Sequence, residues 1–225
     1  RSCSSALPPA TMLEMEKILQ LPVVEAYGMT EASHQMSSNP LPPGKRMAGT
    51  VGQGTGVEVA TMSDSGKLLE LGQRGEVVIK GANVTLGYEN NEEANKSSFT
   101  DGWFRTGDEG IIDQQQYLSL VGRIKELINR SGEKISPLEI DDVLLGHPSV
   151  VEAVSFGVPH PTYGEEPAAC VVLNEDITSQ ALVKYCREHL ADFKVPKNIH
   201  IVDEIPKTAT GKVQRRFVAA AFVKD

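Results

Sequence analysis

The sequence has little that would support a secreted, membrane-spanning or nucleic-acid-binding protein. Its 3 cysteines are scattered and lack metal-ligand spacing, which argues against a disulfide framework and a zinc site. No apolar run reaches the roughly 18 residues of a membrane-spanning helix, and the N-terminus lacks the pattern of a signal peptide. The net charge of -8 provides no general basic face for nucleic-acid phosphates. We therefore expect a cytoplasmic protein with no membrane span and no nucleic-acid partner.

The composition that is present is that of an ordinary globular protein. The chain has 225 residues, 40% of them hydrophobic, which is enough for one large or two small domains. Helix-like apolar spacing over 11–20, closed by a proline, predicts a helix that leads into a strand at Val23-Val24. Glycines recur from 44 to 87 between short alternating segments, a pattern typical of a small β-rich sheet or barrel. The first half is therefore predicted to combine an α/β layer with a β-rich subdomain.

Beyond Arg123 the pattern changes to alternating helices and strands. Ser136, Pro137 and Glu139 have the order of an N-cap, a first-turn proline and a capping-box glutamate, which predicts a helix ended by Gly146. The other predicted helices lie at 91–99, 179–190 and 215–222, and the other predicted strands at 150–156, 168–173 and 199–202. A loop is predicted at 102–108, before an antiparallel pair across 113–116. The predicted fold class is α/β and α+β, with a small α+β domain at the end.

Four motifs hold the residues that indicate chemistry. Residues 27–31, Tyr-Gly-Met-Thr-Glu, place a hydroxyl and a carboxylate after a glycine turn, where they would suit a nucleotide and its cation. Residues 106–108, Thr-Gly-Asp, offer an aspartate that can accept hydrogen bonds from two ribose hydroxyls. Taken alone, the first is more often a helix start and the second a plain loop. The longer segments 122–139 and 206–212 are far more specific.

In this order the four motifs closely resemble those of the adenylate-forming enzymes, the superfamily that includes the acyl-CoA synthetases. The resemblance extends over essentially the whole chain and implies its C-terminal portion. Residues 1–122 would then be the end of the large AMP-binding domain and 123–225 a mobile small domain, with a hinge near Lys125. Such enzymes carry an upstream phosphate loop that these residues lack, so we expect this chain alone to be inactive.

The resemblance also implies roles around the nucleotide. Glu31 would bind Mg²⁺ and Tyr27 would stack on adenine, while Asp108 and Arg123 would hold the ribose. The implied ATP- and AMP-binding set is Ser4, Ser5, Ala6, Tyr27, Gly28, Thr30, Asp108, Arg123 and Lys212. From the residues alone, a helix-start pair at 30–31 and a surface ion pair of Asp108 with Arg123 stay open.

Two further roles are implied for the second half. Lys212 would be the catalytic residue, because its cation could reach both the substrate carboxylate and the α-phosphate as negative charge develops. After rotation about Lys125, a second loop would contact coenzyme A through Ser131, Gly132 and Lys134. From the residues alone, Lys212 could instead be a solvated lysine in a basic tail, and Lys134 a surface lysine at the end of a strand. The other cations near the end are interpreted as solvent-exposed: Lys207, Arg215 and Arg216.

The substrate is predicted from the polar residues 32–36. His34, with Ser4, could bind a second carboxylate through a charge-assisted hydrogen bond, although His34 could equally cap a turn. Segments 30–36, 83–88 and 128–135 resemble the oxalyl-CoA synthetases, so oxalate is the favoured small carboxylic acid beside ATP and coenzyme A. A 4-coumarate- or fatty-acid-type ligase, a peptide-synthetase or luciferase-like enzyme, and a non-catalytic nucleotide-binding module stay open. The end of the chain carries no peroxisomal Ser-Lys-Leu signal, so a peroxisomal location stays open only as the alternative to a cytoplasmic one, and the sequence indicates no oligomeric state.

Overall fold

The computed structural model describes residues 1–3, 5–208, 211 and 213–222. The chain divides into two compact units, one from Arg1 to Ile124 and one from Lys125 onward. Both units combine helices with sheets, so the predicted mixed α/β and α+β class is confirmed. Within the described ranges, none of the helices has the length and apolarity that crossing a bilayer requires.

The described residues of the first unit form two α-helices and two antiparallel sheets. Its helices are α1 (Pro9–Leu19) and α2 (Glu92–Ser98). Its strands are β1 (Ala26–Tyr27), β2 (Ser37–Ser38), β3 (Gln53–Gly54), β4 (Glu58–Met62), β5 (Arg74–Lys80), β6 (Phe99–Thr100), β7 (Trp103–Ile112) and β8 (Leu118–Arg123). The first sheet has the order β1-β2-β3, and the second has the order β4-β5-β7-β6 with β8 also paired to β7. The predicted antiparallel pair across 113–116 is confirmed as β7 and β8.

The predicted strand at Val23-Val24 is wrong by a few residues. The backbone N–H of Val23 donates to the side chain of Glu16, at 2.8 Å, so it is not available to a sheet neighbour. Strand pairing begins later, with a parallel bridge between Ser2 and Glu25 and then β1. Because the donor comes from the preceding helix, the apolar pattern of the two valines could not show this bond.

The predicted loop at 102–108 is also wrong, because β7 runs through it. Glu76 of β5 pairs with Glu109 and Val78 pairs with Arg105, so residues 106–108 together face Val77 alone. The extra residues form a bulge in which Gly107 takes φ +73, a left-handed value that favours glycine. The Thr-Gly-Asp motif therefore sits in a bulge of the strand, a feature that often re-aims a side chain next to a functional site.

The second unit is built on one sheet. Its helices are α3 (Pro137–Leu145), α4 (Ser179–His189) and α5 (Arg215–Phe222), and its strands are β9 (Ile128–Arg130), β10 (Glu133–Ile135), β11 (Val150–His160), β12 (Gly164–Leu173) and β13 (Asn198–Ile201). The sheet has the order β10-β9-β12-β11, and β13 pairs with β12 in parallel. The helices and strands predicted for this half are confirmed, with ends shifted by a few residues.

Side chains of β12 alternate between two cores. Ala169 and Val171 belong to a cluster with residues of α3 and α4, whereas Ala168 and Cys170 belong to a cluster with Val218 of α5. Helices therefore cover both faces of the sheet. The predicted cap of α3 is present, since the Ser136 hydroxyl accepts a hydrogen bond from the Glu139 N–H at 3.3 Å, and the helix ends at Gly146.

Candidate functional site

The centre of the candidate site is a cross-strand pair in the first unit. Asp108 of β7 lies directly opposite Arg123 of β8, and the Arg123 Nε donates to Asp108 Oδ1 at 2.8 Å. The hydroxyl of Tyr27 donates to the other carboxylate oxygen of Asp108. Asp108 is thus in direct contact with two other residues predicted to bind the nucleotide, Tyr27 and Arg123.

The bulge in β7 determines where the Asp108 carboxylate lies. The Thr106 hydroxyl donates to the carbonyl of Val77 at 2.7 Å and accepts from the Asp108 N–H at 3.1 Å. The Gly107 N–H donates to the Glu76 carboxylate at 2.9 Å. Since the Thr106 hydroxyl and the N–H groups of Gly107 and Asp108 have partners on β5 or within the bulge itself, the carboxylate is held on a rigid base.

Burial differs sharply across this pair. The Asp108 side chain is 8% exposed and the Arg123 side chain is 56% exposed. Burial, and next the neighbouring carboxylate of Asp108, raises the pKa of Tyr27 well above its ordinary value, so the phenol stays protonated and acts as a donor. The Asp108 carboxylate is therefore a fixed hydrogen-bond acceptor, and the exposed guanidinium of Arg123 beside it is accessible to a ligand.

A tight turn follows β1 and carries the predicted magnesium ligand. Thr30–Ala32 form a short 3₁₀ turn, and the His34 N–H closes it by donating to the Met29 carbonyl at 2.9 Å. A Cβ on Gly28 would lie 1.3 Å from the His34 carbonyl oxygen, so this close approach requires glycine. His34 itself is exposed and has φ +80.

Glu31 has a partner that sequence reasoning missed. The Tyr88 hydroxyl donates to Glu31 Oε1 at 2.8 Å, and the Thr85 N–H donates to the Glu31 carbonyl at 2.7 Å. Burial and the hydrogen bond to Glu31 raise the pKa of Tyr88. Residues 83–88 resembled those of oxalyl-CoA synthetases, but nothing in their local pattern indicates a contact with a residue more than fifty positions earlier.

The segment expected to flank the adenine lies beside β1. Ser4 is outside the described residues, while Ser5 and Ala6 are exposed. The segment is fixed on both sides to Glu25, which pairs with Ser2 and accepts from the Leu7 N–H at 2.9 Å. These small residues therefore lie close to the strand that carries Tyr27.

The residues predicted to meet coenzyme A form a hairpin in the second unit. Arg130 pairs with Glu133, so Ser131 and Gly132 are the two turn residues, with φ +52 and +90. Two successive positive values are those of a type I′ turn, which favours glycine at its second position. Both turn residues and Lys134 are exposed. Lys125, the predicted hinge, is exposed within the 3₁₀ turn Ile124–Glu126.

Lys212, the predicted catalytic residue, lies outside the described residues. Two residues that flank it in the sequence, Lys207 and Val213, pair in an antiparallel bridge, and Lys207 Nζ contacts Glu152 Oε1 at 2.7 Å. The interpretation of Arg215 as a solvent-exposed cation is wrong. Its guanidinium contacts the buried carboxylate of Asp141 of α3 at 2.6 Å, although α5 and α3 cover opposite faces of the sheet.

The fold is that of the adenylate-forming class of proteins. The family model for AMP-binding enzymes matches residues 1–89, and the model for the AMP-binding enzyme C-terminal domain matches residues 139–212. The chain belongs to the AMP-binding enzymes, and the resemblance inferred from the four motifs is confirmed.

Within this family, the chain is similar to several individual proteins. The chain is 56% identical to the oxalate–CoA ligase of Saccharomyces cerevisiae, over all of this chain and 42% of that protein. It is 52% identical to the oxalate–CoA ligase of Arabidopsis thaliana, over all of this chain and 44% of that protein. Among solved structures, ATP-bound MatB from Rhodopseudomonas palustris superposes with a TM-score of 0.92 at 36% identity, over 98% of this chain and 44% of that one. The chain thus spans less than half the length of these relatives.

Proposed function

We propose that the protein containing this chain is an ATP-dependent carboxylate–CoA ligase that acts on oxalate. It would first join the acid to AMP with release of pyrophosphate, and then transfer the acyl group to the thiol of coenzyme A. The observation that carries this proposal is the 56% identity with a yeast oxalate–CoA ligase over the whole chain. The 3 free cysteines support a cytoplasmic location.

The nucleotide would be held mainly through its sugar. Asp108 offers carboxylate oxygens to the ribose hydroxyls, and the exposed guanidinium of Arg123 can donate to the same sugar. Because Tyr27 donates its hydroxyl to Asp108, it would fix the carboxylate while its ring stacks on the adenine. Ser5 and Ala6 would leave room for the flat base, with Gly28 in the adjoining turn and Ser4 completing the set, and Thr30 would contact phosphate.

Glu31 is the residue that would hold Mg²⁺. The part of the chain that the structure describes contains no group of three or more His, Cys, Asp or Glu side chains suited to a metal. A single carboxylate still fits, because Mg²⁺ in such sites takes one or two carboxylates and completes its shell with water and phosphate oxygens. The Tyr88 hydroxyl occupies Oε1 of Glu31 and so orients the carboxylate. When bound, the ion neutralises phosphate charge during transfer.

His34 is proposed to recognise the acid. Oxalate has two carboxylates and no hydrocarbon, so one carboxylate reacts while the other needs a polar or cationic partner. His34 is exposed on the turn that follows Glu31, where a charge-assisted hydrogen bond to that second carboxylate can form. Ser4 would be the other contact.

The second unit would serve both half-reactions. We propose residues 1–122 as the end of the large domain and 123–225 as the mobile small domain, with its hinge near Lys125. Lys212 would stabilise the charge that builds on the carboxylate and α-phosphate during adenylation. Rotation about the hinge would then bring the hairpin turn of Ser131 and Gly132, with Lys134, toward the arm of coenzyme A.

The substrate is tested with the full-length protein. AMP release is measured with magnesium-ATP and coenzyme A, comparing oxalate with 4-coumarate and octanoate. We expect the highest kcat/KM with oxalate. Preference for either apolar acid would retain the ligase and discard oxalate, whereas no AMP release with any acid would favour a non-catalytic nucleotide-binding protein.

The nucleotide site is tested by AMP binding with two matched substitutions. Asp108→Asn removes the charged acceptor, and we expect a loss of affinity of about tenfold to hundredfold, since hydrogen bonds to charged groups contribute about 1.5–3 kcal/mol. Asp101→Asn makes the same charge change in an exposed turn just before β7 and should leave the affinity unchanged. Equal affinities for both variants and the wild type would remove Asp108 from the site.

A further inference from the structure

Arg215 connects three separate elements of the second unit. Its Nη2 donates to Asp141 Oδ2 of α3 at 2.6 Å, and its Nη1 donates to the Ser155 carbonyl of β11 at 2.9 Å. Its Nε lies 3.2 Å from a carboxylate oxygen of Glu126, in the turn beside Lys125. Because the guanidinium is a planar fork, three acceptors in different directions fix both its position and its orientation.

The contact with Asp141 is buried on both sides. The Arg215 side chain is 15% exposed and that of Asp141 is 8% exposed. The remaining oxygen of Asp141 accepts the Ser155 N–H at 2.6 Å. Removing one member of such a pair leaves an uncompensated buried charge, which destabilises a fold far more than breaking a surface pair. The N-terminus of α5 is therefore firmly attached to the sheet.

Arg215 also lies next to the segment that contains Lys212. In the sequence it follows Lys212 by three residues. On the other side, Lys207 forms an ion pair with Glu152 that is partly exposed on both members, a kind of contact that contributes little. The bridge between Lys207 and Val213 brings the two flanks together. Of the two attachments, the buried one at Arg215 is the stronger.

We propose that Arg215 is a positioning residue for adenylate formation, because it anchors the start of α5, three residues after Lys212 in the sequence. The link to Glu126 ties the same anchor to the hinge turn. This inference rests on the proposed function, in which Lys212 acts in the first half-reaction and the hairpin of Ser131 and Gly132 in the second. It follows that loss of Arg215 impairs the first half-reaction and spares the second.

The test measures the two half-reactions separately in the full-length protein. Arg215→Met is compared with Arg216→Met, which removes the same charge from the adjacent, exposed position. For Arg215→Met we expect kcat of acid-dependent ATP–pyrophosphate exchange to fall about 100-fold, the scale of a small misplacement of a catalytic group, with KM for ATP unchanged. Thioester formation from a supplied acyl-adenylate and coenzyme A should stay at the wild-type rate. Arg216→Met should leave both rates unchanged.

A second pair of variants covers the case in which Arg215→Met does not fold. Arg215→Lys keeps a charge but carries its donors on one nitrogen, which cannot reach acceptors spread around a planar fork, and Asp141→Asn combined with Arg215→Met removes the uncompensated carboxylate. Both should fold and show the selective loss of exchange. An equal fall in both half-reactions, or no fall in either, would overturn the positioning role. Absence of exchange in the wild type would instead overturn the proposed function.

Discussion

Replacing Tyr27 with phenylalanine tests how strongly the candidate site is organised. The substitution removes one hydroxyl that donates to the carboxylate of Asp108, while the ring keeps its packing. Measured over the whole residue, Tyr27 is 9% exposed and Asp108 is 6% exposed, so water cannot readily replace the lost donor. Hydrogen bonds to charged groups contribute about 1.5–3 kcal/mol, so we expect the free energy of unfolding of the first unit to fall by about 2 kcal/mol.

The chain provides its own probe for this measurement. Its single tryptophan, Trp103, lies in β7, the strand that carries Asp108. Urea unfolding followed by Trp103 fluorescence therefore reports on the first unit. With a dependence of about 2 kcal/mol per molar urea, the midpoint should fall by about 1 M in the Tyr27→Phe variant.

Tyr117→Phe is the matched control. Tyr117 is 6% exposed, and its hydroxyl donates to the carbonyl of Lys45 at 2.5 Å, so the same atom is lost from a buried contact with a neutral acceptor. Neutral hydrogen bonds contribute about 1 kcal/mol, which predicts about half the midpoint shift. If both variants shift equally, the Tyr27 hydroxyl has no special relation to the Asp108 charge and the reasoning fails.

Two further predictions concern the second unit and the thiols. Burial raises the pKa values of Cys170 and Cys186 to about 11. At pH 8 only Cys3 of the native chain should therefore react promptly with a thiol reagent, whereas all three cysteines should react after unfolding. Rapid reaction of all three cysteines in the native state would contradict this burial. Burial also raises the pKa of Asp141, and Arg215 opposes that rise, so Arg215→Met should raise it further. An acid with a folded pKa above its unfolded value contributes stability that is lost as pH rises through that interval, so the deficit of Arg215→Met in urea unfolding should grow as pH rises above about 4. Burial, and next Asp141, raises the pKa of Asp142 to about 6, and Arg215 opposes that rise too, so adding Asp141→Asn should reduce this growth without abolishing it. A deficit that is constant with pH would contradict the assignment.

The sequence predicted those elements whose signals are local. The cap at Ser136, the first-turn proline and the periodic apolar residues of α3 lie within one short stretch, and the helix formed as expected. The predicted loop at 102–108 failed because the glycine signal was ambiguous. A glycine with positive φ suits both a turn and a bulge, and the choice depends on Val77 and Glu76 of another strand.

In the candidate site and around Arg215, too, some contacts follow from nearby sequence and others depend on distant residues. Asp108 and Arg123 lie opposite each other in the antiparallel strands β7 and β8, so their proximity follows from the turn at 113–116 once the register is known. The partners of Arg215 lie 74 and 60 residues earlier in the chain, and the sequence offered only a basic stretch near its end. A lone cation there looks solvated until the packing of α5 on the sheet places a buried carboxylate beside it.

The position of Arg123 at the last residue of β8 has a consequence for hybrid enzymes. Its backbone pairs with Asp108 in the sheet of the first unit, and the second unit begins at Lys125. A chimera joined after residue 124 would therefore inherit the complete Asp108–Arg123 pair from one parent. The segment of Lys212 and the hairpin turn of Ser131 and Gly132 would come from the other parent. Under the proposed function, the binding of the ribose and the binding of coenzyme A would then be exchanged separately between relatives.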